Sequence, residues 1–267
     1  MKIYPKVLSI AGSDSGAGAG IQADLKTIAA LGGYGMSAIT AITAQNTRGV
    51  DGVHPVPAEM VRQQIQSVVK DIGADAVKIG MLHDEKIVKV VAEEVKELKL
   101  LNVVLDPVFL STSGRALLQS EAIQTMQEHL FPTTGLITPN LPEAAFLLNT
   151  RIESIAQMRQ AAKDLAQLGP TSVLVKGGHL AGELATDILY DGAEKKFYEY
   201  SSPKITTNNS HGTGCTLSSA IATLIASGLA LPQAVQEAKA YLEQCLLAGS
   251  KYQIGTGNGP LCHFPKR

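Results

Sequence analysis

A glycine-rich turn stands directly before a small, apolar helical segment and carries a thiol at its mouth. The turn reads His211-Gly212-Thr213-Gly214-Cys215, and the apolar run continues through 216–222. Glycines ahead of a helix leave free backbone N–H groups at the positive end of the helix dipole, and such a point binds anions. The same field is expected to lower the pKa of the Cys215 thiol. The alternative interpretation is a helix cap in which the cysteine only packs.

Charged and amide side chains follow several apolar runs that we interpret as strands. Asp106 follows one run, Asn140 and Glu143 follow another, and Lys176 follows a third. An anion-binding turn, a positive point charge and carboxylates for Mg²⁺ are the parts that phosphoryl transfer requires. These residues therefore predict a kinase-like site whose phosphate turn lies late in the chain.

Two common nucleotide-binding patterns do not occur. No stretch has a glycine followed by four residues and then Gly-Lys-Ser or Gly-Lys-Thr, so the usual P-loop is absent. Gly16, Gly18 and Gly20 run G-x-G-x-G, whereas a dinucleotide fingerprint needs G-x-G-x-x-G, in which each glycine has its own contact. The glycine spacing thus argues against a nicotinamide-dependent oxidoreductase.

Short apolar runs alternate with amphipathic segments along most of the chain, and this alternation predicts the elements that position the chemistry. Strands are predicted at 7–10, 36–43, 53–56, 76–79, 103–105, 136–138, 173–175, 185–190 and 196–200. Helices are predicted at 21–31, 58–72, 84–98, 122–129, 141–148, 154–168, 215–227 and 231–248. The pattern is typical of an α/β fold with a mostly parallel central sheet and helices on both faces, in one domain over 1–267. Ligands of such sheets bind beyond the carboxyl ends of the strands.

Composition and charge exclude several classes of partner. The net charge is −1, with 45% hydrophobic and 18% charged residues, so nothing favours nucleic acid or an anionic membrane. No apolar run has the length of a membrane span, and the first residues do not resemble a signal peptide. The three cysteines, Cys215, Cys245 and Cys262, have neither disulfide nor metal spacing. We therefore expect a cytoplasmic protein that acts on a small molecule.

Seven short motifs carry a resemblance to a known family. The first, GAGIQADLKT at 18–27, is followed in order by AQNT at 44–47, KIGML at 78–82, DPV at 106–108, TPNLPEA at 138–144, VKGGH at 175–179 and HGTGCT at 211–216. Together they resemble the hydroxymethylpyrimidine/phosphomethylpyrimidine kinases of thiamine biosynthesis, in the vitamin-kinase branch of the ribokinase superfamily. The match runs from Ala11 to Pro260, which is essentially the whole chain.

The resemblance implies a ribokinase-like three-layer sandwich, a homodimer, and the use of ATP with Mg²⁺. The implied activity is phosphorylation of 4-amino-5-hydroxymethyl-2-methylpyrimidine and then of its monophosphate. It also implies roles for individual residues. The catalytic group is Cys215, Lys176, Gly212 and Gly214; the ATP and phosphate contacts are Asp106, Asn140, Lys176 and Thr213; the Mg²⁺ ligands are Glu143 and Asp106; and the pyrimidine pocket is Gly12, Asp24, Gln45, Met81 and Val108.

The chemistry of the implied pocket agrees with an aminopyrimidine. The Gln45 amide offers a donor and an acceptor at once, while Met81 and Val108 offer apolar surface for the ring. Whether Cys215 takes the proton of the alcohol or only occupies the place of a base stays open at this point. His211 is expected to be a structural hydrogen-bonding residue outside the site.

Two other functions remain as alternatives. A pyridoxal or pyridoxine kinase of vitamin B6 salvage shares the Gly-x-Gly-Cys turn, although the Gln45-Asn46-Thr47 segment argues against it. A pyrimidine-binding regulator without catalysis is the second alternative. The presence of Cys215 and Lys176 argues against that regulator.

Overall fold

One mixed β-sheet organises the chain, as seen in a computed structural model that describes residues 4–109 and 120–265. Within these residues the sheet has nine strands, in the order β3-β2-β1-β4-β5-β6-β7-β8-β9. The strands are β1 (Lys6–Asp14), β2 (Tyr34–Asn46), β3 (Gly49–Pro55), β4 (Ala76–Ile79), β5 (Val103–Leu105), β6 (Leu136–Ile137), β7 (Ser172–Val175), β8 (Leu184–Asp191) and β9 (Lys196–Pro203).

The centre of the sheet is parallel, as the alternating pattern predicts. Strands β2, β1, β4, β5, β6 and β7 run in one direction, so their carboxyl ends meet at one edge. The antiparallel strands β3, β8 and β9 lie outside them. Pro55 ends strand β3, which lies at the edge of the sheet. An edge strand pairs with a neighbour on one side only, so it tolerates a residue without an N–H.

Helices cover both faces of the sheet, which confirms the predicted three-layer arrangement. They are α1 (Gly20–Ala30), α2 (Ala58–Asp71), α3 (Glu85–Glu97), α4 (Ser120–Thr125), α5 (Leu141–Leu148), α6 (Ile155–Ala166), α7 (Thr213–Ala226) and α8 (Leu231–Gly249). Helices α1, α7 and α8 pack together on one face, and α2 to α6 cover the other. The strands β1, β4, β5, β6, β7 and β8 contribute to both cores because their side chains alternate, as Ala76 and Val77 do.

The predicted helix at 122–129 is wrong in its second half. The α-helical part ends at Thr125, a wider π-type turn spans Met126–Leu130, and a 3₁₀ turn spans Phe131–Thr133. Pro132 has no N–H to donate and its ring cannot fit against the preceding turn, so the segment cannot continue as a regular helix.

The second predicted strand is longer than its apolar run. Strand β2 continues to Asn46 because it pairs with β3, and the pairing register shifts between Ala44 and Gln45. Such an irregularity changes where the next side chain points. Gln45 therefore lies in the end of a strand rather than in the loop that the sequence predicts.

The segment after α8 returns to the turn between β2 and β3. The Asn258 N–H donates to the Thr47 carbonyl at 2.8 Å, and the Gly257 N–H donates to Thr47 Oγ1 at 3.2 Å. Pro260 forms a parallel bridge with His211. In the described part of the chain, no helix combines the length and the apolar character that a membrane span needs.

Candidate active site

Most of the predicted functional side chains lie at the carboxyl edge of the parallel strands. Lys176 follows β7, Asp106 follows β5 and Asn140 follows β6, while Gln45 lies at the end of β2 and Met81 follows β4. The edge was predicted from the apolar runs alone, because parallel strands bring their carboxyl ends to one line.

A salt bridge forms the centre of this edge. Lys176 Nζ donates to Asp106 Oδ1 at 2.7 Å, and Thr138 Oγ1 donates to the same oxygen at 3.1 Å. The side chains are 14% and 3% exposed for Lys176 and Asp106. Burial alone would lower the pKa of Lys176, but the charges of Asp106 and Glu143 raise it above its ordinary value. The ammonium is therefore charged at neutral pH.

Asn140 and Glu143 form a reciprocal capping box at the start of α5. Asn140 Oδ1 accepts the Glu143 N–H at 2.9 Å, and Glu143 Oε2 accepts the Asn140 N–H at 2.7 Å. Burial raises the pKa of Glu143 to about 7, with the charge of Asp106 adding to it and that of Lys176 opposing it. The two side chains thus have a structural task besides any contact with a ligand.

The carboxylates of Asp106 and Glu143 fit Mg²⁺ only if other ligands complete its coordination shell. In residues 4–109 and 120–265, no group of three or more His, Cys, Asp or Glu side chains is placed to hold a metal ion. Mg²⁺ commonly takes one or two carboxylates from a protein and completes its shell with phosphate oxygens and waters. Asp106 and Glu143 fit that arrangement, and they do not form a cage made of protein alone.

The turn before α7 requires glycine at two positions. Gly212 has φ of +90°, and a Cβ there would overlap with the carbonyl oxygen of Gly18. A Cβ at Gly214 would lie 3.0 Å from Asp106 Oδ2 and 3.3 Å from Lys176 Nζ. The backbone of the first turn of α7 therefore reaches the salt bridge directly, with its early N–H groups beside it.

Thr213, the first residue of α7, ties this turn to the preceding loop. Its Oγ1 donates to the Ser210 carbonyl at 2.6 Å, and its N–H donates to the same carbonyl at 3.3 Å. The side chain thus braces the turn, and its position leaves it beside the N-terminus of the helix.

The expected low pKa of Cys215 is wrong. Burial raises the pKa of this thiol to about 11. The positive charge of Lys78 and a hydrogen bond from the Gly20 N–H act in the opposite direction, while the charges of Asp24 and Asp106 add to the rise. Burial is the largest influence on this pKa, and it was not visible in the sequence. Cys215 is a thiol at neutral pH.

A buried ion pair between Lys78 and Asp24 lies beneath the turn. Lys78 Nζ donates to Asp24 Oδ2 at 2.8 Å, Ser9 donates to the same oxygen at 2.6 Å, and Ser219 donates to Oδ1 at 2.7 Å. Both ionic side chains are 0% exposed. Asp24 is thus fully buried and both of its oxygens are engaged by protein donors, and its contact with substrate stays a prediction.

Lys78 was missed by the sequence analysis. Its signal was a lysine within the apolar run Ala76–Ile79, since a buried lysine needs an anionic partner. Burial opposes its charge, yet Asp24 and other nearby anionic groups raise the pKa of Lys78.

Gly12 and Met81 lie against each other where β1 and β4 end. A Cβ at Gly12 would be 2.6 Å from Met81 Cε. The Thr40 hydroxyl donates to the Met81 carbonyl at 2.6 Å and fixes that segment. Val108 is half-buried, and its N–H donates to the Asp106 carbonyl at 2.9 Å. Val108 therefore lies beside Asp106, and Gly12 lies beside Met81.

His211 lies between two polar groups of the site, although the sequence analysis left it out. Its Nε2 is 2.8 Å from Asp14 Oδ2 and 3.2 Å from the Gln45 side-chain amide. Burial acts to raise the pKa of Asp14, but the bond to His211 and the N–H groups of Gly16 and Ala19 hold it below its ordinary value. Because His211 directly precedes Gly212 in the sequence, it could have been predicted as a residue of the site.

Comparisons with known proteins agree with this geometry. A family model described as phosphomethylpyrimidine kinase matches residues 14–262. A hydroxymethylpyrimidine/phosphomethylpyrimidine kinase of Rhizobium meliloti is 48% identical over 258 residues, which is 96% of each chain. A chloroplastic thiamine biosynthetic bifunctional enzyme of Arabidopsis thaliana is 48% identical over 263 residues. That match covers 97% of this chain but 50% of the plant protein, so the chain spans about half the length of such bifunctional relatives.

A solved structure with a different name has a very similar fold. The pyridoxal kinase of Staphylococcus aureus, in complex with AMP-PCP and pyridoxal, superposes with a TM-score of 0.89 at 34% identity. The superposition covers 99% of this chain and 95% of the other. The fold is therefore ribokinase-like, as the resemblance implied.

Proposed function

This chain belongs to the phosphomethylpyrimidine kinase family, and from that premise we propose that it phosphorylates 4-amino-5-hydroxymethyl-2-methylpyrimidine with ATP. The resulting monophosphate is then phosphorylated to the diphosphate at the same site. The whole chain, 1–267, acts as one kinase domain in thiamine biosynthesis.

The observation that carries the proposal is the approach of the α7 turn to the salt bridge. Gly214 lies against Asp106 and Lys176, and no side chain separates its backbone from the ammonium. A phosphoryl group held there is contacted by early N–H groups of the helix on one side and by Lys176 on the other. Catalysis of phosphoryl transfer consists largely of such positioning and charge stabilisation.

The remaining phosphate and metal roles follow from neighbouring strand ends. Thr213 and Asn140 would contact the nucleotide phosphates, and Asp106 with Glu143 would hold Mg²⁺ that arrives with them. When bound, that ion would neutralise charge on the phosphates. AMP-PCP in the similar pyridoxal kinase supports ATP as the phosphoryl donor.

The pyrimidine lies between Gly12 and Met81 on one side and Val108 on the other, within reach of the Gln45 amide. Cys215 faces the hydroxymethyl group that accepts the phosphoryl group. Since the thiol keeps its proton at neutral pH, Cys215 positions the alcohol before transfer. The loose transition state needs little help from a base at an early stage.

Assembly and location complete the proposal. The protein forms a homodimer, which light scattering on the purified chain tests. It acts in the cytoplasm, and its free cysteines Cys215, Cys245 and Cys262 support a reducing compartment.

A turnover assay decides between this function and the main alternative. Specificity constants with ATP are compared for the aminopyrimidine alcohol, its monophosphate, pyridoxine and pyridoxal. We expect the two pyrimidines to be preferred, because the chain is 48% identical to the pyrimidine kinase of Rhizobium meliloti and 34% identical to the pyridoxal kinase of Staphylococcus aureus. A clear preference for pyridoxine overturns the assignment, and an absence of any turnover leaves a binding protein.

A further inference from the structure

The side-chain amide of Gln45 is held between two neighbours. One end lies 3.1 Å from Thr43 Oγ1, and the other lies 3.2 Å from His211 Nε2. The oxygen and nitrogen of an amide have the same shape, so their partners decide which atom is which. Hydrogen counting at the two neighbours gives that answer.

Thr43 Oγ1 lies 2.8 Å from the Ser13 carbonyl oxygen and 3.1 Å from the end of the Gln45 amide, and its hydroxyl has one hydrogen to donate. The Ser13 oxygen is the nearer acceptor and belongs to the fixed backbone, so the hydrogen goes to it. Toward Gln45 the Thr43 oxygen therefore presents a lone pair. The atom of Gln45 that faces Thr43 must be the nitrogen.

His211 can only donate a hydrogen bond to Gln45. Its Nε2 lies 2.8 Å from Asp14 Oδ2, and this carboxylate also accepts backbone N–H groups from Gly16, Gly18 and Ala19. An ionised carboxylate accepts and does not donate, so Nε2 carries its one hydrogen and has no lone pair to offer; Asp14 and Gln45 share that hydrogen in a three-centre bond. The atom of Gln45 that faces His211 must therefore be the oxygen.

The two independent counts agree on one orientation of the amide, with Oε1 toward His211 and Nε2 toward Thr43. We propose that His211, backed by Asp14, and Thr43 lock the Gln45 amide in this orientation and thereby select the pyrimidine edge that the site accepts. The inference rests on the proposed function and makes His211 and Thr43 positioning residues.

The lock has a chemical consequence for the ligand. With both anchors engaged, the amide keeps one N–H and one carbonyl lone pair for a substrate, in a fixed order. A 4-aminopyrimidine presents an amino donor beside a ring-nitrogen acceptor, whereas the 4-oxo analogue presents a carbonyl acceptor beside a ring N–H donor. An amide fixed in one orientation pairs donor with acceptor along one of these edges. Along the other edge it sets donor against donor and acceptor against acceptor. An amide that can rotate accepts both edges.

Discrimination between the 4-amino substrate and its 4-oxo analogue tests the lock. The readout is the ratio of their kcat/KM values with ATP for the wild type, His211→Asn and His211→Gln. Glutamine places an N–H near the position of histidine Nε2, whereas asparagine is too short to reach it. We expect His211→Asn to reduce the ratio by about tenfold or more, and His211→Gln to stay within about threefold of the wild type. Part of the reduction must be a rise in kcat/KM for the 4-oxo compound, which damage to the fold cannot produce.

A second pair of variants tests the other anchor on a different element. Thr43→Val removes the acceptor and keeps the shape, and Thr43→Ser keeps the acceptor. We expect valine to reduce the ratio and serine to preserve it, with thermal unfolding measured for each variant. If the ratio is the same in Thr43→Val as in the wild type, or if only turnover of the 4-amino substrate falls, the lock is wrong.

The orientation is also measurable without turnover. In an NMR spectrum of the ligand-free protein, the side-chain NH₂ protons of Gln45 should show cross-relaxation to the Thr43 methyl group. Cross-relaxation to the His211 ring proton between the two nitrogens would instead overturn the proposal. Because this readout needs no substrate, failure of the pyrimidine kinase activity and failure of the lock are distinguishable.

Discussion

Lys176 Nζ and Asp106 Oδ1 lie 2.7 Å apart although their strands, β7 and β5, are not neighbours in the sheet. Strand β6 lies between them, and Thr138 at its end donates to the same Asp106 oxygen. Three consecutive strand ends are thereby tied together under the α7 turn. The cation at the proposed phosphate position is held in place before any ligand arrives.

Replacing this lysine should affect catalysis more than substrate binding. For Lys176→Met we expect kcat to fall by about 10²–10³-fold, the range found when one preorganised hydrogen-bond donor to the transition state is removed. The KM for the pyrimidine should change far less, and steady-state kinetics measures both. Lys196→Met is the control because Lys196 is an exposed lysine on β9. Equal losses of kcat in the two variants would contradict the proposed role.

Alanine variants at two glycines with similar backbone angles distinguish the effect of backbone strain from the effect of steric overlap. Gly212 has φ of +90° and Gly228 has φ of +93°, but only a Cβ at Gly212 meets another residue, whereas the space at Gly228 is open. Gly228→Ala should destabilise the protein by about 1 kcal/mol through backbone strain and keep full turnover. Gly212→Ala should cost more and abolish turnover, because Gly18 must move. Thermal unfolding and ATP consumption measure the two effects, and equal behaviour of the pair would count against the structure of the turn.

The reactivity of Cys215 should depend on pH in a definite direction. Burial raises the pKa of its thiol to about 11, so the thiolate that reacts with iodoacetamide is scarce at pH 7. The rate constant for alkylation should rise about tenfold per pH unit between pH 7 and 10. Mass spectrometry follows the peptide that contains Cys215, and Cys215→Ala gives the background from other cysteines. A rate that levels off below pH 8 would restore the low pKa that the sequence suggested.

Removing the Cys215 thiol should lower kcat with little change in the pyrimidine KM. The expected loss for Cys215→Ala is about 10²-fold, because the alanine variant loses the contact that holds the alcohol in position for transfer. Cys215→Ser should retain more activity because a hydroxyl can still hold the alcohol. Unchanged kcat in the alanine variant would remove Cys215 from the catalytic group.

Removing only one partner of the ion pair between Lys78 and Asp24 should lower the free energy of unfolding more than removing both. Lys78→Met leaves the Asp24 carboxylate buried without its cation and should cost about 3–5 kcal/mol in the free energy of unfolding. The double variant Lys78→Met with Asp24→Asn should recover part of that loss. Urea unfolding of the single and double variants measures the difference. A double variant less stable than Lys78→Met would show that the charge of Asp24 is not the cause.

The position of the site was predictable because apolar runs mark strands, and each run ends at a polar residue. Asp106 and Lys176 were found in this way. The turn at Gly212 followed from glycine chemistry before a helix. These features depend on local sequence and on the geometry of parallel sheets.

Features that depend on contacts between distant segments were missed or wrong. Asp24 was assigned to the pocket, but its partners Lys78 and Ser219 come from elements far along the chain. The pKa of Cys215 depends on burial, which no spacing in the sequence reveals. His211 was expected to be a structural hydrogen-bonding residue, and its two partners, Asp14 and Gln45, could not be identified because they are remote in sequence.

The contact between Thr47 and Gly257 joins positions that are 210 residues apart. On the ribosome, Gly257 is translated 210 residues after Thr47, which lies in the turn of the hairpin that bears Gln45. The contact that supports this wall of the pocket therefore cannot form until Gly257 has left the exit tunnel. Before that point the hairpin lacks this support.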